Sequence, residues 1–341
     1  MIKRIPFCDL SRALLPIRSE IDAAIQRTVD RCWFLRGPET YAFEEAWANY
    51  CGQSDAVCCN SGTDSLTIAA VALGIRTASI QANTLPLTAI GLDRAGLSVR
   101  LSEIDQNGHL LNPASDAVPV LLYGRLPNEP ERTATLFDAA HAHGWHPPAH
   151  AVAAWSFYPT KTLGAFGDGG AVTTNDRHLA EEMRKLCGRD DVLHHRRQIT
   201  SRMDEMQAAV LSVKLKYLDQ WLSERHEIAQ HYETELQTLG ITLSGQSLHH
   251  LYVIRVPNRD DLVQFLKERG VETKIHWPRA LHKLDGPWLV EGAYPMAEQW
   301  VGDVLSLPCF PGLRHRELQT ICACIQEWWE RQLHRPLGLA E

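Results

Sequence analysis

The chain has 341 residues, 45% of them hydrophobic and 22% charged, which supports a real core and excludes an intrinsically disordered polypeptide. Its formal net charge is −7, and Lys and Arg are scattered apart from a short cluster at residues 194–197, so the basic stripe that a nucleic-acid partner requires is missing. The opening MIKRIPFCDL has no apolar signal region and no apolar run reaches membrane-spanning length, so a cytoplasmic protein away from the membrane is expected.

Residues 19–32 carry apolar residues at helical spacing, and Gly37-Pro38 then break the chain. Residues 38–51 read as a second amphipathic helix with Pro in its first turn. A short apolar run at 56–59 predicts a buried strand feeding Asn60-Ser61-Gly62-Thr63 and a helix in DSLTIAAVAL. Further strands are predicted at 78–81, 98–101, 118–123, 136–138, 151–156 and 170–174, with a helix at 86–94. Such alternation implies an α/β fold with a mostly parallel central sheet. After Asp176 come a helix at 177–186, one long helix over about 204–236, a strand at 249–256, a helix at 259–269, a strand at 272–276 and a helix at 317–333. The predicted division is a large domain over 1–204, with an N-terminal helical segment. The long helix and a smaller C-terminal α/β domain then occupy 205–341.

The nine Cys form no chelating pattern; neither the adjacent Cys58-Cys59 nor the pair Cys322 and Cys324 suits a metal, so none is expected. Reduced, scattered thiols are expected instead.

Three local features bear on chemistry. Ser61-Gly62-Thr63-Asp64 sits at a strand-to-helix junction, where small residues and unpaired N–H groups suit a phosphate; a plain helix cap is the alternative. Asp138 ends a strand in FDAAHAHG and would face the crevice where α/β proteins bind ligands, or else cap the next helix. In SFYPTK, Lys161 precedes the glycine-rich LGAFGDGG, a context for a tuned lysine nucleophile; a solvated surface lysine is the alternative. Their order decides between these readings: a cup, then an acid on a later strand, then a lysine 23 residues beyond it (161 − 138). Pyridoxal 5'-phosphate sites pair a Schiff-base lysine with an Asp on the pyridine nitrogen.

The segments NSGTDSLTIAAVALGI, DAAHAHG, SFYPTKTLGAFGDGGAVTTND, SRMDEMQAAVLSVKLKYLD, KIHWPRALH and LSLPCFPGL run in order along nearly the whole chain. With them the chain resembles the DegT/DnrJ/EryC1/StrS family of sugar aminotransferases, which have the fold type I architecture. The resemblance implies that Lys161 is the Schiff-base lysine and Asp138 the partner of the pyridine nitrogen. It places Gly62, Thr63 and Ser156 in the phosphate cup and His141 beside the ring. His276 and His282 fall in a region near the substrate in relatives, or else are loop packing. The resemblance also implies a homodimer with active sites at the interface, glutamate as amino donor, and a nucleotide-linked keto sugar as acceptor.

Three features depart from the family pattern. Leu85, after Thr84, stands where relatives stack an aromatic residue on the ring. Thr200 stands where an Asn commonly reaches the neighbouring subunit's phosphate. The stretch 126–148 is short. The cluster at 194–197 is either a contact for a diphosphate or a solvated face, and Trp328-Trp329 reads as packing. Two rival readings remain at this point: an aminotransferase for a cyclitol or other polyol ketone, and a non-catalytic relative acting as a partner or regulator.

Overall fold

The computed structural model describes residues 4–188 and 198–333; the cluster at 194–197 lies outside the described residues. The chain begins with α1 (Leu10–Leu14), α2 (Arg18–Arg31) and α3 (Pro38–Cys51). Pro38 is pre-set for the first turn of α3, and Gly52 ends it at φ 69, a left-handed conformation that glycine adopts at no steric cost.

Then follow β1 (Asp55–Cys59), α4 (Gly62–Leu73), β2 (Thr77–Gln81), α5 (Pro86–Arg94), β3 (Ser98–Ser102), β4 (Leu136–Asp138), β5 (Val152–Ser156), β6 (Gly170–Thr174) and α6 (Arg177–Leu186). The central sheet has the order β1-β6-β5-β4. β4 and β5 are parallel, as are β2 and β3, and parallel bridges at Ser79–Ala117 and Val120–Asp138 connect these pairs. β6 runs antiparallel to both its neighbours, so the sheet is mixed. Between Ser156 and Gly170 the chain turns back through a loop without a helix, and β6 lies antiparallel beside β5. The strands are buried on both faces, which is why they read as continuous apolar runs. Where a strand over 118–123 was predicted, only the bridge at Val120 and a turn of 3-10 helix at Leu122–Gly124 form.

The predicted long helix is two, α7 (Glu205–Leu215) and α8 (Leu218–Leu236). They part where Lys216 and Tyr217 both bond Glu20 on α2. The break lets α7 pack on α2 and α3 while α8 packs on the last helix. β7 (Tyr252–Arg255), α9 (Arg259–Glu268), α10 (Pro295–Asp303), β8 (Val304–Leu307) and α11 (His315–Leu333) complete the chain. β7 and β8 pair antiparallel; β8 and α10 had no sequence counterpart above. The strand predicted at 272–276 shrinks to single bridges, Val271 with Ile5 and Lys274 with Ser306. A hydrophobic core of its own gathers Tyr232, Ile254, Leu266, Leu305, Ile325 and Trp328, with Trp329 packed against it. No disulfide joins any of the nine cysteines among the described residues. Among the described residues no helix is long and apolar enough to cross a membrane.

Candidate active site

A cavity of about 490 Å³ opens at the carboxyl ends of β1, β4 and β5. Ser61, Gly62 and Thr63 follow β1, Asp138 closes β4 and Ser156 closes β5, and all of them line it. This is where an open α/β sheet offers a ligand crevice.

The cup is built at the start of α4. The Ser61 hydroxyl caps the helix by accepting from the Asp64 N–H at 3.1 Å, and the Ser65 N–H bonds the Ser61 carbonyl at 2.9 Å. The N–H groups of Gly62 and Thr63 are thus left for an outside acceptor, at the positive end of the helix dipole. The close fit explains the glycine: a Cβ on Gly62 would lie 2.6 Å from the Ser156 Cβ. One on Gly170 would lie 2.3 Å from the Ser61 carbonyl. Ser201 steadies the turn, donating to Asp64 at 2.7 Å and accepting from the Asn60 N–H at 3.0 Å.

Across the cavity stand Lys161 and Asp138. Burial raises the Asp138 pKa, and three groups oppose the rise. The Thr88 hydroxyl donates to Asp138 Oδ2 at 2.7 Å, the Ala140 N–H donates to Oδ1 at 3.1 Å, and the Lys161 ammonium adds its charge. Burial pulls the Lys161 amine down to about 8, against the pull of the Asp138 carboxylate. Lys161 keeps part of its surface open to the cavity. An amine near 8 is neutral often enough at ordinary pH to act as nucleophile and base.

His141 has a fixed tautomer. Its Nδ1 accepts from the Tyr123 N–H at 3.1 Å, and a backbone N–H can only donate. Burial and the nearby Lys161 charge keep the ring neutral, so Nε2 carries the proton. The His250 ring lies 4.5 Å from that of His141, with the Thr162 hydroxyl 3.3 Å from its Nδ1. His276 Nδ1 is 2.8 Å from the Ser306 hydroxyl, and burial pulls its pKa down to about 4.

Of the residues singled out in the sequence, Gly62, Thr63, Leu85, Asp138, His141, Ser156, Lys161 and His276 meet around this one cavity. Thr200 and His282 do not line it. Thr200 is exposed, and His282 bonds Glu298 at 2.8 Å while stacking on Tyr294. Sequence reasoning missed Thr88, Arg225, His250 and Lys274, all on the cavity wall. Thr88 stood in plain view in the first turn of α5, but nothing in the sequence ties the others to Lys161.

The arrangement fits a flat, phosphate-bearing cofactor. The helix start accepts an anion, a buried carboxylate faces a half-buried lysine, and the Thr84 hydroxyl, 1% exposed on the cavity wall, has no partner.

The sequence profile of the DegT/DnrJ/EryC1/StrS aminotransferase family matches residues 16–116 and 132–326. The chain belongs to that family. Over 362 aligned positions it is 38% identical to the erythromycin biosynthesis sensory transduction protein EryC1 of Saccharopolyspora erythraea, covering 94% of this chain and 99% of that one. It is 35% identical to the dTDP-3-amino-3,4,6-trideoxy-alpha-D-glucose transaminase of Streptomyces venezuelae, covering 96% and 97% of the two chains. The crystal structure of S. venezuelae DesV in complex with a ketimine intermediate matches with a TM-score of 0.89 at 34% identity, covering 96% of this chain and 99% of that one. Membership of the DegT/DnrJ/EryC1/StrS family makes the fold that of the type I aminotransferases.

Proposed function

We propose that the protein is a pyridoxal 5'-phosphate-dependent aminotransferase that moves an amino group from glutamate to the keto group of a nucleotide-linked sugar. The observation that carries this is the meeting of Lys161, Asp138 and the Gly62-Thr63-Ser156 cup around one cavity. The nucleotide-sugar substrate is suggested by the Streptomyces venezuelae relative, a transaminase named for a dTDP-linked sugar.

In this reading the start of α4 and Ser156 would hold the cofactor phosphate, and Asp138, His141 Nε2–H and Leu85 would hold its ring. Bound there, pyridoxal phosphate supplies a carbonyl carbon for amine exchange and an electron-poor ring that takes up charge from the substrate carbon. Lys161 Nζ holds the cofactor and, once released, takes a proton from one carbon and returns it to another. Burial raises the Asp138 pKa, and Thr88, Ala140 and the Lys161 charge oppose that rise by favouring its carboxylate.

The proposal includes a homodimer with the site at its interface. Trp33, Phe34, Leu35, Tyr41, Tyr158 and Phe166 are each about half exposed, apolar surface of the kind a second copy covers. Thr200, exposed and outside the cavity, is then available to the neighbouring subunit.

The test is a visible absorption spectrum of the purified protein with pyridoxal phosphate, before and after glutamate. A visible band that glutamate abolishes and a keto sugar nucleotide restores is expected. A band indifferent to every amino donor, or no band, overturns the proposal in favour of a non-catalytic partner or regulator. Restoration by a free keto cyclitol without a nucleotide would replace the sugar.

A further inference from the structure

We infer that Lys274 recognises the anionic group of the substrate, the feature that the amino donor and the nucleotide sugar share. The inference rests on the aminotransferase reading above.

Position comes first. The N-terminal segment adds itself beside residues 270–272: the Ile5 N–H bonds the Gly270 carbonyl at 2.8 Å, and the Glu272 N–H bonds the Ile5 carbonyl at 3.0 Å. This brings Phe7 into the cavity wall. Lys274 is held by β8, its N–H bonding the Ser306 carbonyl at 3.2 Å and its carbonyl accepting from the Ser306 N–H at 2.8 Å. The side chain of Ser306 in turn holds His276, two residues on, so Lys274 and His276 reach the same cavity from one anchored segment. The ammonium of Lys274 lies 5.4 Å from the centroid of the Phe7 ring.

Charge comes second. Three cations line the cavity. Lys161 faces Asp138. Arg225 Nη1 is committed to main-chain carbonyls, among them that of His250 at 3.0 Å. Lys274 is exposed, lines the cavity and makes no ion pair among the described residues. The nearest carboxylate in sequence, Glu272, is occupied by Arg4 and by the Phe7 N–H at 3.1 Å. A positioned cation without a carboxylate, at a cavity that takes acidic substrates, is a recognition element. Lysine suits the task as a compact point charge on a flexible stem with three donors, able to pair with a carboxylate or a phosphate.

The shared chemistry has two sources, the side-chain carboxylate of the donor and the diphosphate of the nucleotide. Calorimetric titration of the cofactor-loaded protein with glutarate and, separately, with thymidine diphosphate distinguishes them. In Lys274→Gln, affinity for one or both should fall by about 10- to 100-fold, the worth of one hydrogen bond to a charged group. Lys274→Arg should keep most of it. A loss with glutarate assigns the donor carboxylate, and a loss with thymidine diphosphate assigns the nucleotide. Equal binding by wild type and Lys274→Gln, or no binding of either probe by wild type, overturns the inference. The aminotransferase reading fails separately, by the wild-type protein showing no glutamate-responsive band. Because Lys274 is exposed, the substitution leaves the core intact, and an unchanged visible band in the variant verifies this.

Discussion

Two lysines with lowered amine pKa values invite comparison, the half-buried Lys161 and the buried Lys214. Burial pulls the amines of Lys161 and Lys214 down to about 8 alike. Lys161 faces a cavity and a carboxylate. Lys214 is 4% exposed, donates to the Gly164 carbonyl, and lies 5.6 Å from the Phe166 ring and 5.9 Å from the Trp221 ring. It ties down the loop that carries Lys161, three residues before Gly164. A depressed amine pKa therefore reports desolvation alone. Access to a cavity and an opposing acid distinguish a reactive lysine from a structural one.

The largest expected effect is the loss of turnover in Lys161→Ala, more than about 10³-fold, against a loss of at most about 10-fold in Lys214→Met. Amino transfer measured on both variants decides it; equal losses would break the distinction. Next, Asp138→Asn should slow the glutamate half-reaction by about 10²- to 10³-fold, read by stopped-flow absorbance. It should also move the Lys161 amine still lower, since the carboxylate is what holds it up, and the pH dependence of lysine labelling in cofactor-free protein would report that shift.

Stability sharpens the contrast from the other side. Lys214 has a folded-state pKa of about 8 and an unfolded one near its ordinary value of 10.5. Between those pH values the unfolded chain binds more protons, so wild-type stability rises as pH increases through that window. Lys214→Met should flatten this rise. At pH 7 it should stabilise by about 1 kcal/mol, relieving a desolvation cost on the order of 3 kcal/mol while orphaning the Gly164 carbonyl at about 2 kcal/mol. Urea unfolding of both proteins across pH 7 to 10 measures it; a destabilised variant would mean that the bond to Gly164 outweighs the buried charge. The smallest effect belongs to Leu85→Phe, which should tighten cofactor binding by a few-fold to about 10-fold if the ring stacks there, measured by equilibrium dialysis.

Much of this was legible in the sequence. The cup, Asp138 and Lys161 are local signals, each formed by a strand end and the residues that follow it. Most strand and helix bounds could be read because burial on both faces leaves short apolar runs between turn residues. The break between α7 and α8 was not legible, since Lys216 and Tyr217 are unremarkable helix residues until Glu20 of α2 meets them. His282 in KIHWPRALH was open between a place near the substrate and loop packing, and the structure pairs it with Glu298 outside the cavity wall.

By itself the sequence determined the family, the α/β class and the order of cup, acid and lysine, because these depend on residue type and spacing along the chain. Only the tertiary structure decided that β6 reverses beside β5, that Thr88 holds the Asp138 carboxylate, and that Lys274 and Phe7 share a wall with Lys161. Those contacts join segments as far apart as Phe7 and Lys274, 267 positions along the chain (274 − 7). Chain closure over such distances is set by the packing of the whole core, which no local pattern records.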